Sequence, residues 1–211
     1  DEAHLRRVRD VVRETGRSVG LVLLTHGHPD HAEGAGRFVD LTGAPLRAAG
    51  PGERVSLDGL ELEIVATPGH TGDSVCFVIP ADEVLLTGDT VLGRGTSVVA
   101  HPDGDLGDYL DSLVRLRDLA ADRGLRSLLP GHGPTLPDPV SVLDGYLAHR
   151  AERLGQVQAA LAGGARSARE VVEVVYADVD PSLWATAELT VQATLDYLGR
   201  RRGRPQRPPS C

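Results

Sequence analysis

Four apolar runs in this 211-residue chain each end on a residue that can bind a metal ion or take up a proton. VGLVLLTHGHPDH (residues 19–31) leads into His26, His28, Asp30 and His31, and LEIVATPGH (62–70) into His70. VLLTGD (84–89) leads into Asp89 and SLLPGH (127–132) into His132. In layered α/β folds, groups just beyond strand ends gather along one edge of a sheet. The pattern therefore calls for a fold whose strands deliver these four ends to one place.

The intervening sequence supports that frame. Leu5, Val8, Val11 and Val12 have helical spacing over residues 4–15, and residues 31–43 suit a helix stopped by Gly43. Short apolar runs at 19–25, 44–50, 60–67, 74–80, 83–88 and 126–131 read as strands. Leu106, Tyr109, Leu110, Leu113, Leu116 and Leu119 form one helical face that ends at Gly124. After Pro139 the strands cease. Residues 140–162 read as a long helix, Ser167 to Glu170 has capping-box spacing, and Asp180-Pro181 opens a last helix reaching about Gly199. The expected organisation is a mixed α/β domain at 1–139, a helical appendage at 140–199, and a basic, disordered tail at 200–211.

A lone His-x-His is most often an ordinary surface or core pair. His-x-His-x-Asp-His after a strand is more specific, because residues i and i+2 of extended backbone face the same side, so His26 and His28 project together. Five histidines and two aspartates are too many for one tetrahedral ion. They suit two divalent ions, zinc by ligand type, with His26, His28 and His70 on one and Asp30, His31 and His132 on the other, bridged by Asp89. Each set leaves a position open, as catalytic sites do and structural ones do not. A hydroxide held between two such ions is a nucleophile at neutral pH. Asp30 would orient it and Asp89 hold the ions in place, so both are assigned catalytic roles.

THGHPDH, TPGHT, LLTGDT and LLPGHG, in that order over residues 25–133, resemble the metallo-β-lactamase-fold hydrolase superfamily. GDTVLGRGTSVVAHPDGDLGDYLDSL, PGHGP and YLAHRAERL, with the helical C-terminus, are similar to its β-lactamase-like protein 2 subgroup. The resemblance implies an αββα sandwich whose first strands would precede Asp1, so an N-terminally incomplete sandwich is expected. It also implies a winged-helix-like C-terminal segment. Substrates known in the subgroup are single-stranded RNA, cut by an endoribonuclease, and acyl-carrier-protein thioesters, cleaved by fungal thioesterases.

Composition narrows the chemistry further. The formal charge is −8 although five of the 22 basic side chains, Arg200, Arg201, Arg202, Arg204 and Arg207, lie in the tail, so the body is more acidic still. With 3% aromatic residues there is little to stack bases on, and a small ester or thioester is the favoured substrate. The Arg tail and the appendage favour RNA instead. A third reading is a non-catalytic nucleic-acid-binding module with structural metals; an iron-dependent persulfide oxygenase would need a single iron, against the seven-ligand set. Arg94, Thr96, Ser97 and His101, in the glycine-rich stretch after Asp89, are the candidate substrate contacts. His149 and Arg150 read as an exposed helical pair, Cys76 as core and Trp184 as helix packing. Two cysteines, no apolar span and no signal pattern suggest a cytoplasmic protein without membrane contact.

Overall fold

Alternation along one strand shows how the layers are assembled. In β5 (Val75–Ile79), Val75 and Phe77 face one way and Cys76 and Val78 the other, and all four are buried. A strand buried on both faces must lie between two layers. The computed structural model describes residues 1–203 and contains those layers.

Strand β5 is central in a six-stranded sheet with β3 (Arg54–Leu57), β4 (Leu60–Ala66), β6 (Val84–Gly88), β7 (Ser127–Pro130) and β8 (Leu136–Pro137), ordered β3-β4-β5-β6-β7-β8. All neighbours are antiparallel except β6 and β7, which are parallel and joined through helix α4 (Leu106–Arg123). A second sheet pairs β1 (Val22–Leu23) with β2 (Leu46–Arg47) in parallel, connected through α2 (Pro29–Ala32) and α3 (Ala35–Thr42). Leu23 of β1 packs against Ile64, Val75 and Phe77, so the two sheets face each other. On the outer side of the small sheet's connection, α1 (Glu2–Glu14) packs on α3. The opposite face of the large sheet is covered by α4 and by α5 (Pro139–Ala162), where Tyr109, Leu113, Leu116 and Leu143 meet Cys76, Val78, Leu85 and Leu128. Helix α4 is delimited as its sequence suggests. The Asp105 side chain accepts from the amides of Gly107 and Asp108, and Gly124 closes the helix in a left-handed conformation.

The helical C-terminal part is less separate than its sequence suggests. Leu143 and Tyr146, early in α5, belong to the hydrophobic core beneath the sheet, whereas Val157 and Ala160, late in the same helix, belong to a second core. That second core also contains Val171 and Val172 of α6 (Ala168–Val175) and Val191 and Leu198 of α7 (Trp184–Gly203). A boundary at 139/140 thus falls at the start of a helix shared by both parts. Ser167 caps α6 as expected, accepting from the Glu170 amide, while the Glu170 carboxylate accepts from Arg166 N–H rather than closing a reciprocal box. Helix α7 runs four residues beyond its expected end at Gly199. The tail's remaining arginines, Arg204 and Arg207, lie outside the described residues. Among the described residues no helix is long and apolar enough to cross a membrane.

Strand β3 was not legible as a strand, because RVSL exposes three of its four residues and carries little apolar signal. Its one local mark is the Asp58-Gly59 turn that follows, where both residues have positive φ and hairpin strands are joined. Truncating Leu113, fully buried between α4 and the sheet, to alanine should cost about 2–5 kcal/mol. Val114→Ala, one position on and 42% exposed, should cost much less, about 0.5 kcal/mol, both read by denaturant unfolding.

Candidate metal centre

The sheet directions explain why the four motif ends meet. Because β5 is antiparallel to both β4 and β6, β4 and β6 run the same way, and β7 is parallel to β6. The C-terminal ends of β4, β6 and β7, and with them His70, Asp89 and His132, therefore share one edge. The end of β1 reaches that edge through the Thr25 carbonyl, which accepts from the Val75 amide at 2.8 Å, beside the end of β4. His26 and His28 follow directly, and Asp30 and His31 sit in the first turn of α2.

At this edge the seven residues form two groups. The ring nitrogen Nδ1 of His28 lies 3.1 Å from Nε2 of His26 and 3.1 Å from Nε2 of His70. In the second group, His132 Nε2 is 3.2 Å from His31 Nε2 and 3.1 Å from Asp30 Oδ2. Within each group, one donor atom per residue falls within 4.8 Å of every other, with Asp89 in the second group. Donors around a tetrahedral ion with bonds of about 2.0–2.1 Å stand roughly 3.3 Å apart, so both groups have the span of a metal site.

Asp89 lies between them. Its Oδ2 is 3.8 Å from His70 Nε2, and its Oδ1 is 3.3 Å from His31 Nε2 and 3.6 Å from His132 Nε2. Oδ1 is buried and has no hydrogen-bond partner, a costly state for a carboxylate oxygen and the expected one for a metal ligand. The imidazoles are tuned in the same sense. Burial, reinforced by the neighbouring His31 and His70 rings and opposed by Asp89, pushes His26 down to about 4, so its ring is neutral at ordinary pH and has a lone pair to give. Burial also lowers His70, against the Val98 carbonyl and Asp89, which favour its charged form. For Asp30, burial raises the carboxyl, but its own amide and the facing His31 and His132 outweigh that and keep it below the usual range.

Supporting contacts fix the rings. The Val98 carbonyl accepts from His70 Nδ1 at 2.6 Å, which sets the tautomer and turns Nε2 towards the first group. Thr25 Oγ1 is 3.1 Å from His26 Nδ1. Two glycines give the backbone its close approaches. Gly69, at φ +133°, places its hydrogen where a Cβ would meet the Tyr109 backbone at 2.3 Å, which seats the turn before His70 on α4. At Gly131 a Cβ would stand 2.8 Å from His31 Cε1 and 2.9 Å from Asp89 Oδ1, inside the second group. The two groups also differ in access. His26 and His70 are buried, whereas Asp30 and His132 are exposed.

The expected substrate contacts divide. Arg94 is exposed, beside the Gly93 backbone that packs on Gly133 and Pro134 after His132. Ser97 is buried behind the first group rather than on its rim, with Oγ 3.4 Å from His70 Nδ1. Thr96 lines a cavity facing α5 and α7. His101 points away from the cluster and pairs with Asp196 of α7 at 3.2 Å, because its backbone amide is bonded to the Leu189 carbonyl of that helix. Arg150 corrects the expectation of an exposed pair. It is only 7% exposed, lies 4.8 Å over the Tyr109 ring, and donates to the Ser97 carbonyl. Its helical position looked ordinary; the signal available was Tyr146, one turn earlier and already on the apolar face. Cys76 and Trp184 are where packing placed them, the former fully buried and the latter donating to the Val179 carbonyl.

This edge-assembled cluster on a two-sheet, helix-flanked frame is that of a metal-binding hydrolase fold. The chain belongs to the metallo-beta-lactamase superfamily, whose family model matches residues 3–59 and 47–132; residues 167–203 match the beta-lactamase associated winged helix domain. It is 30% identical over 201 residues to a beta-lactamase-like protein 2 homolog of Caenorhabditis elegans, covering 86% of this chain and 64% of that one. It is 35% identical over 158 residues to the lactamase-like protein adaB of Aspergillus niger, covering 69% and 47% respectively. The chain thus spans 47% to 64% of these relatives' length. Among solved structures, a beta-lactamase domain protein from Burkholderia ambifaria superposes with a TM-score of 0.78 at 24% identity, over 95% of this chain and 74% of that one. A metallo-beta-lactamase family protein from Thermus thermophilus gives 0.75 at 24% identity, over 93% and 80%.

Gly131→Ala should leave the fold intact, since Gly131 is exposed, yet weaken metal binding at the second group. Overpacking costs about 1–3 kcal/mol, or roughly 5- to 150-fold in affinity, measurable by competition with a chromophoric chelator. Unchanged affinity would mean that His31 and Asp89 do not share a ligand position there.

Proposed function

We propose that this chain is a dinuclear, zinc-dependent hydrolase acting on a small ester or thioester. The observation that carries the reading is Asp89, one carboxylate oxygen towards each histidine group. His26, His28 and His70 would hold one ion and Asp30, His31 and His132 the other, with Asp89 shared. Bound there, divalent ions supply Lewis acidity to the scissile carbonyl or phosphoryl oxygen and bring a water's pKa from about 15.7 towards ~7.

The chain's own residues do the rest. Asp30, exposed and kept below the usual carboxylate range by its own amide and then by His31 and His132, accepts a hydrogen bond from the attacking water and orients it. Asp89 keeps the two groups in register, and the Val98 carbonyl keeps His70 in the right tautomer. The buried first group limits solvent access, while the open side at Asp30 and His132 admits substrate. That open side is also the argument against a purely structural metal site, which would be closed by protein ligands.

A second reading, cleavage of single-stranded RNA, is favoured by the winged helix match. Metal-loaded protein should be assayed on an acyl thioester, a lactone, a β-lactam and a single-stranded oligoribonucleotide, with Asp30→Ala as control. One metal-dependent activity is expected, reduced about 10²–10⁴-fold in Asp30→Ala with the fold retained. Less than one metal per chain and no turnover on any of the four would overturn the reading.

A further inference from the structure

Beyond the metal centre, the seam between the hydrolase domain and the C-terminal helices encloses a cavity of about 350 Å³. His149, Arg150 and Arg153 of α5 line it together with Thr96 and Ser97 from the loop after β6 and Thr190 from α7, and Tyr176, Val179 and Leu183 complete an apolar part of the lining. Among the described residues no aspartate or glutamate lines it, in a chain whose formal charge is −8. Two arginines line the cavity with no carboxylate among its lining residues. Burial lowers His149, and Arg150 and Arg153 lower it further against the weaker pull of Glu152.

The donors are also incompletely used. Arg150 is buried, and its Nε has no hydrogen-bond partner, although its guanidinium donates to the Ser97 carbonyl and stacks over Tyr109. His149 Nδ1 is likewise buried without a partner. Arg153 directs one nitrogen to Gln156 Oε1 at 3.0 Å and the Val175 carbonyl at 3.4 Å, and lies 4.9 Å over the Tyr176 ring. Buried polar groups are normally satisfied, and guanidinium forks match tetrahedral oxyanions.

We propose that this cavity is a binding site for a phosphoryl-class oxyanion, held by Arg150, Arg153 and His149 with the hydroxyls that line it. The site is coupled to the metal centre through one short segment. Arg150 grips the Ser97 carbonyl, the Ser97 hydroxyl touches His70, and the neighbouring Val98 carbonyl accepts from His70 Nδ1. An oxyanion bound beside Arg150 therefore tightens the same segment that orients a metal ligand. The oxyanion has two sources, a free phosphoanion or a phosphate carried by the molecule that the metal centre cleaves. Only the second rests on the hydrolase reading.

The test uses the whole 211-residue chain, metal-loaded, with inorganic pyrophosphate as the probe, followed by isothermal titration calorimetry. Arg153→Gln removes one fork, and Thr190→Glu brings a carboxylate into the cavity. Wild-type protein is expected to bind pyrophosphate in an event that both substitutions weaken tenfold or more, with metal content and melting temperature unchanged. No uptake by the wild type, or uptake that neither substitution alters, as for an anion bound solely at the metal centre, would overturn the proposal. A second arm assigns the source. A raised KM for a single-stranded oligoribonucleotide, with the KM for a neutral ester unchanged, places the phosphate on the substrate; no change in either KM assigns the site to a free phosphoanion. Because calorimetry needs no turnover, loss of the hydrolase reading would leave the first arm decisive.

Discussion

One backbone hydrogen bond joins the two halves of the candidate metal centre. The Thr25 carbonyl accepts from the Val75 amide at 2.8 Å and ties the end of the short first strand to the start of the central strand of the large sheet. Without that junction, His26 and His28 would belong to a two-residue strand with little to hold its register. With it, they arrive beside His70, whose own position follows from the antiparallel pairing of Ala66 with Val75. The apolar contacts of Leu23 with Ile64, Val75 and Phe77 support the same junction from below. The cluster is thus a consequence of strand order and direction, and each ligand needs only to be the residue that follows its strand.

Much of this was legible in the sequence because strand-end placement is a one-dimensional property. Each apolar run announces its strand, and the next histidine or aspartate falls on the edge. Counting seven candidate ligands suggested two ions rather than one, and the distances gather the same residues into two groups, with Asp89 in the second and its other oxygen towards His70. Other features depend on three-dimensional choices that no run encodes. His28 offers Nδ1 where His26 and His70 offer Nε2, a matter of ring orientation. The tautomer of His70 is set by a backbone carbonyl, which has no sequence signature. His101 was placed at the site by proximity along the chain, but the loop bends its side chain to α7. Arg150 was read as solvated because arginine usually is, and only the tertiary packing of α5 over Tyr109 buries it.

The shared helix α5 has a functional side. Its first turns pack under the sheet and its last turns under α6 and α7, so the C-terminal helices are rigidly referenced to the metal-centre edge. Between them, Arg150 reaches the loop that carries Ser97 and Val98. The chain is acidic overall, yet it concentrates basic groups at this seam. The buried first group and the open second group give the edge a polarity, with one set of candidate ligands deep and the other accessible.

Four strand ends would build two adjacent metal positions around one carboxylate. Anomalous diffraction from crystals of the zinc-loaded protein, collected at the zinc edge, tests this most directly. Two peaks are expected, one in contact with His26, His28 and His70, the other with Asp30, His31 and His132, and Asp89 touching both. A single peak at either group, or zinc bound away from Asp89, would contradict the account.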